Sequence, residues 1–197
     1  MIIGENMSKK SRDVLLNAAY QEFWVKGYNG TSVDSILIRA KLPKGSFYYH
    51  FKSKEDLVIS VINERIVLKM KNQFTPAQEG DKIDNIVNAI RSIAMINELL
   101  MYGCPLNKLI RELLPQNEPE INKALMNGYK EIKKLLVIEI DTMIEENVIK
   151  FVNSNKLVNF ILATTWGALS LGENPIPKES FLDTIEILHS YMNSLRQ

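Results

Sequence analysis

Apolar residues recur at helical spacing along almost the whole chain, and strand-like alternation is hard to find. Val14, Leu15, Ala18, Ala19 and Phe23 mark the inner side of a first helix over about 9–26, with Gly27 as its left-handed stop. Val33, Ile36 and Leu37 give a short second helix its apolar side, and Thr31 with Asp34 three residues on is read as its capping box. Pro43 has no N–H to lose in a first turn, so it opens a third helix over about 44–50, with Phe47 and Phe51 on the inward face. Ser53 caps a fourth, with Asp56 at its third position and Leu57, Val58, Val61 and Ile62 continuing it to about residue 71.

Thr75 to Gly80 reads as a loop that closes the N-terminal part. Ile83, Ile86, Val87, Ile90, Ile93, Ala94 and Leu99 then follow helical spacing until Gly103 and Pro105 interrupt it. Leu106, Leu109, Ile110 and Leu113 make a short helix, and Pro115 to Pro119 a second break. A long pattern runs over 118–146, a turn falls at Val152 to Asn155, and two last helices over 156–171 and 178–196 flank a break at 172–177. The expectation is an all-α chain of about nine helices. Residues 1–53 are expected to form one domain and 54–197 a second, with the fourth helix as connector.

The outward side of the third helix supplies the chemistry. Lys44, Ser46, Tyr48, Tyr49 and His50, with Lys52 and Lys54 beyond, offer hydrogen bonds and positive charge to phosphate oxygens. Gly45 lets a backbone or base edge come close. These residues, with Leu15 to Ala19, Phe23, Lys26-Gly27-Tyr28, Thr31-Ser32-Val33, Ile36 and Ser53-Lys54-Glu55, resemble the tetracycline-repressor (TetR) family of bacterial transcription regulators. The likeness covers about the first third of the chain. Leu42-Pro43 departs from the Val-Ser type pair more usual there and affects the turn.

The resemblance implies a regulator, a repressor on a palindromic double-stranded operator, that a small-molecule effector releases. It assigns DNA contacts to Thr31, Ser32, Lys44, Gly45, Ser46, Tyr48, Tyr49, His50, Lys52 and Lys54. It also implies an effector pocket in the C-terminal bundle. Met95, Leu99, Tyr102, Cys104, Met126, Tyr129 and Trp166 are the candidate lining, because methionine and aromatic side chains make adaptable walls, although each also suits an ordinary core. Gly103-Cys104-Pro105-Leu106 is similar to a stretch in one subset of the family. The last two helices would pair with a second copy through Leu157, Phe160, Phe181, Ile185 and Leu188, although burial within one subunit accounts for the same apolar residues.

Composition adds a few bounds. The 197 residues carry a formal net charge of +1, yet the segment through residue 54 holds nine Lys/Arg against four acids. That asymmetry fits an end facing nucleic acid and also ordinary variation of surface charge. The single Cys104 excludes an intramolecular disulfide, and no run is long enough for a signal peptide or membrane span, so a cytoplasmic protein is expected. Met7 is a second possible start, and the six residues before it are expected to be disordered. No metal or cofactor is expected. Catalysis would have to rest on Cys104 with His50 or His189, and no phosphate loop, HExxH pair or nucleophile elbow accompanies them. The residues alone also allow a helical protein-interaction module, or an enzyme or ligand carrier.

Overall fold

The computed structural model describes residues 2–75, 79–172 and 174–197, with side chains from residue 9 onward. Its elements are α1 (Ile2–Lys26), α2 (Val33–Ala40), α3 (Lys44–His50), α4 (Lys54–Val61), α5 (Leu68–Phe74), α6 (Lys82–Arg91), α7 (Asn97–Tyr102), α8 (Pro105–Leu113), α9 (Pro119–Glu145), α10 (Ser154–Ala168) and α11 (Lys178–Asn193). Counting α4 with α5, and α6 with α7, as the single elements the pattern predicts leaves nine helices among the described residues. The chain is all-α. Outside the helices, one isolated antiparallel bridge among the described residues joins Ile149 and Arg196.

Three local expectations need correction. Residues 2–6 are helical, because α1 begins at Ile2, while Met1 lies outside the described residues. The N-cap of α2 is Ser32, whose hydroxyl accepts from the Ser35 N–H at 3.0 Å while the Ser35 hydroxyl accepts from the Ser32 N–H. Thr31 is instead buried, and its hydroxyl donates to the Gly27 carbonyl at 2.7 Å. Between α4 and α5 the helix is not α-helical: Ile62–Val67 winds as a π-helix. Of the loop read at 75–80, residues 76–78 lie outside the described residues, as does residue 173 of the break at 172–177.

The chain divides into two compact units, one of residues 1–68 with 105–128 and the other of 69–104 with 129–197. α8 and the start of α9 belong to the unit of the N-terminal helices. In the first unit Leu15, Leu16, Ala19 and Phe23 of α1 are buried with Ile36, Phe47, Leu57, Leu106, Leu109 and Leu113. Gly128 makes a close crossing possible, since a Cβ there would lie 2.6 Å from Val67 Cγ2 in the π segment. The π segment is also pinned to α1: Arg12 donates to both carboxylate oxygens of Glu64, and Arg65 donates to Asp13 and Asn17. Trp24 is buried beside Tyr20, ring centroids 5.4 Å apart.

In the second unit α11 packs on both α6 and α10. Ile83, Ile86, Val87 and Ile90 of α6 are buried, as are Phe181, Ile185, Leu188 and Met192 of α11. Polar pins close the ends of this packing. Arg196 donates from both terminal nitrogens to Asp81, the N-cap of α6, at 2.8 Å each. His189 Nε2 lies 2.8 Å from Asp84 and its Nδ1 3.0 Å from Arg91.

Candidate nucleic-acid interface

Two buried aromatics fix α3. Phe47 and Phe51 pack inward with centroids 6.1 Å apart, so the remaining side of a seven-residue helix faces out. Pro43 is its N-cap and has no capping side chain; its carbonyl accepts from Ser46 N–H at 2.9 Å. The turn from α2 is made by Lys41, which holds the left-handed conformation at φ 53 and donates its N–H to the Ile38 and Leu37 carbonyls. At the far end Ser53 accepts from the Asp56 N–H, as the spacing predicts, and Asp56 in turn accepts from the Lys52 N–H at 3.0 Å.

What α3 presents is therefore Lys44, Gly45, Tyr48 and Tyr49, all exposed, with the two tyrosines 62% and 74% accessible. A Cβ built on Gly45 meets nothing within 4 Å, so its surroundings are open. Lys41, Lys52 and Ser32 are exposed beside it, and Ser46 is half-buried. This side is aromatic, hydroxylated and cationic, a combination that suits phosphate and base edges.

Other residues of the same stretch are committed elsewhere. Lys54 donates to the carbonyls of Tyr28 and Thr31 at 3.1 Å each and lies 4.1 Å above the Tyr28 ring, and burial lowers its affinity for a proton although Glu112 opposes that. His50 shares a 2.7 Å hydrogen bond with Ser11, and burial first, then Arg12, holds its pKa below the ordinary value. Thr31 is buried. Arg39 and Lys26 both donate to the buried Glu22 carboxylate, at 2.7 and 2.6 Å. Burial pushes Glu22 up, but the hydrogen bonds from Lys26 and Arg39 outweigh it and its pKa is lowered. Of the basic surplus, Arg12, Lys26, Arg39 and Lys54 are spent on internal contacts, and Lys44 has only a long 3.9 Å approach to Asp34.

Residues 15–61 match the domain described as bacterial regulatory proteins, tetR family. The chain is similar to the transcriptional regulator LmrA of Bacillus subtilis, 32% identical over 131 residues that cover 61% of this chain and 66% of that one. It is also similar to the transcriptional repressor DhaR of Mycobacterium sp., 25% identical over 181 residues, 88% and 89% of the two chains. A TetR transcriptional regulator from Chloroflexus aurantiacus shares its fold at a TM-score of 0.85 and 24% identity, over 97% and 98% of the chains. The chain belongs to the TetR family of bacterial regulators.

Placed in a TetR chain, the remaining site candidates divide. Tyr129 and Trp166 are half-buried with ring centroids 5.8 Å apart, and Cys104 is buried. Leu99, Tyr102 and Met126 are half-buried, whereas Met95 is 72% exposed and its sulfur accepts from Lys178. Leu157, Phe181, Ile185 and Leu188 are buried inside their own chain. Phe160 is the exposed member of the expected dimer set. It stacks edge-on against Tyr191, 5.2 Å between centroids, and Ile187 is exposed on the same helix as Tyr191. Sequence reasoning missed Ile187 and Tyr191; their spacing of four on α11 was the available signal.

It also missed Glu22, Glu64, Lys108 and Glu112, which orient the helices from behind. No helix among the described residues is long and apolar enough to cross a membrane.

Proposed function

We propose that this protein is a transcription repressor that binds a palindromic double-stranded operator as a homodimer and is released by a small-molecule effector. The observation that carries the reading is the outward side of α3, where Lys44, Gly45, Tyr48 and Tyr49 are exposed while Phe47 and Phe51 hold the helix from beneath. Ser32, Ser46 and Lys52 extend that contact, and Thr31, His50 and Lys54 position it. Residues 1–53 make the DNA contacts, and 54–197 supply effector and dimer contacts. A two-fold dimer reads two half-sites about 34 Å apart. The face that pairs the copies is the outer one of α10 and α11, with Phe160, Ile187 and Tyr191. Exposed aromatic and aliphatic residues grouped this way mark an interaction surface in a soluble protein.

Tyr129 and Trp166, with Tyr102 and Cys104, are the proposed effector contacts in the second unit, and the protein works in the cytoplasm. For release, the effector must bind the DNA-incompetent state more tightly; a tenfold loss of operator affinity requires about 1.4 kcal/mol of coupling. The relatives LmrA and DhaR, by name a transcriptional regulator and a transcriptional repressor, support the reading.

Footprinting on the DNA upstream of its own gene, followed by anisotropy titration against a random duplex at moderate salt, tests it. Protection of two symmetric half-sites is expected. Equal affinity for both duplexes would overturn it.

A further inference from the structure

The α1–α2 turn, residues 27–31, is held from outside by two side chains of α8 that lie more than eighty residues away in sequence. The Glu112 carboxylate accepts from two successive N–H groups, Tyr28 at 3.0 Å and Asn29 at 2.8 Å. The Lys108 ammonium donates to the Trp24 and Val25 carbonyls at 2.8 and 2.9 Å, at the negative end of α1, where a cation also meets the helix dipole favourably. Lys108 and Glu112 stand one turn apart and so share one side of α8, while Leu106, Leu109 and Leu113 are buried on a neighbouring side.

The turn has been shaped to this partner. Gly27 has φ +75, and a Cβ on it would lie 2.5 Å from the Glu112 Oε2. Lys54 takes the turn's Tyr28 and Thr31 carbonyls, and the Thr31 hydroxyl takes that of Gly27. The segment is thus gripped through its donors by a carboxylate and through its acceptors by an ammonium and a hydroxyl. Ser32, the N-cap of α2, is the next residue, so the turn's orientation sets the start of α2 and, through the turn at Lys41, of α3.

We propose that Glu112 and Lys108 are positioning residues for operator binding, which makes α8 part of the reading head. The proposal rests on the DNA-binding reading above. Charge alone argues for the opposite effect at Glu112, because removing an acid from a DNA-binding unit strengthens its attraction to phosphate. The sign of the change therefore separates the two accounts.

The test uses the full-length protein and its footprinted operator. Glu112→Ala is expected to bind the operator about tenfold more weakly, a loss within the reach of the two charge-assisted hydrogen bonds it removes from Tyr28 and Asn29, with the salt slope and random-duplex affinity unchanged. Glu112→Gln, which keeps an acceptor oxygen, should recover part of that loss, and Lys108→Met should weaken operator binding independently. Amide exchange at Tyr28 and Asn29 should speed up in both Glu112 variants. Operator binding as tight as or tighter than wild type in Glu112→Ala, or unchanged exchange at those two amides, would overturn the proposal while leaving the DNA-binding reading intact. A wild-type protein without operator preference would instead sink both.

Discussion

In the unit that carries α1 to α4, ion pairs run from helix to helix: Glu22 on α1 reaches Arg39 on α2, and Arg12 on α1 reaches Glu64 in the π segment. In the other unit the helices meet through apolar stripes, and charges act mainly at the ends, as with Arg196 on Asp81. The first arrangement consumes much of the basic surplus that suggests a DNA-facing end. Around α3 its reading surface is correspondingly narrow, since Arg12, Lys26, Arg39 and Lys54 hold the frame and Lys41, Lys44 and Lys52 remain outward there, with Lys9 and Lys10 exposed on α1. The second arrangement buries one stripe of α10 and α11 and leaves another outside. An apolar count alone does not separate those two stripes.

The sharpest break of that comparison is a cavity in the second unit. Phe181 is fully buried, and Phe181→Ala should cost about 3–5 kcal/mol in urea denaturation, whereas the exposed Phe160→Ala should cost the isolated subunit under about 1 kcal/mol. Similar losses at both sites would show that the inner and outer stripes are not distinct.

A charge on the outer stripe sharpens it from the other side. Phe160→Glu should shift sedimentation from dimer to monomer at micromolar protein and leave helicity unchanged, because the residue contributes little within its own chain. Ile187→Glu should do the same. A variant that stays dimeric would move the subunit interface off this face.

Acidification gives a smaller effect with a defined sign. The Arg196 hydrogen bonds hold the Asp81 carboxyl at about 2, down from 3.8. A lowered folded pKa means that this contribution is complete above the ordinary value and is lost as pH falls from about 4 toward 2. The pair is partly exposed, so screening reduces it to about 1 kcal/mol. Arg196→Ala should flatten that part of the stability curve. His50 acts in the same direction nearer neutrality: burial, then Arg12, favours its neutral form, so protonation below its ordinary 6.5 disfavours the fold. An unchanged acid limb in Arg196→Ala would refute the assignment to Asp81.

The helices were legible because their signals are local. Ser53 with Asp56, Pro43 ahead of Lys44, and the Phe47–Phe51 spacing each act within one turn, and the structure keeps them. The capping position of α2 was one residue off because Thr31 and Ser32 are both hydroxyls, and only the turn's own packing decides which one is buried. The π segment had no local mark, since it is accompanied by Arg12–Glu64, Arg65–Asp13 and the space above Gly128. Lys108 and Glu112 were illegible for the same reason: nothing near them in sequence indicates the turn they hold.

Which lysines and arginines meet DNA is the question on which the account turns. The most direct measurement is the slope of log operator affinity against log salt for single alanine variants. Lys44→Ala and Lys52→Ala should each lower the slope by about one unit, and Lys26→Ala and Arg39→Ala, whose partner is Glu22, should leave it unchanged. A slope that falls at Lys26 and Arg39 but not at Lys44 and Lys52 would contradict it.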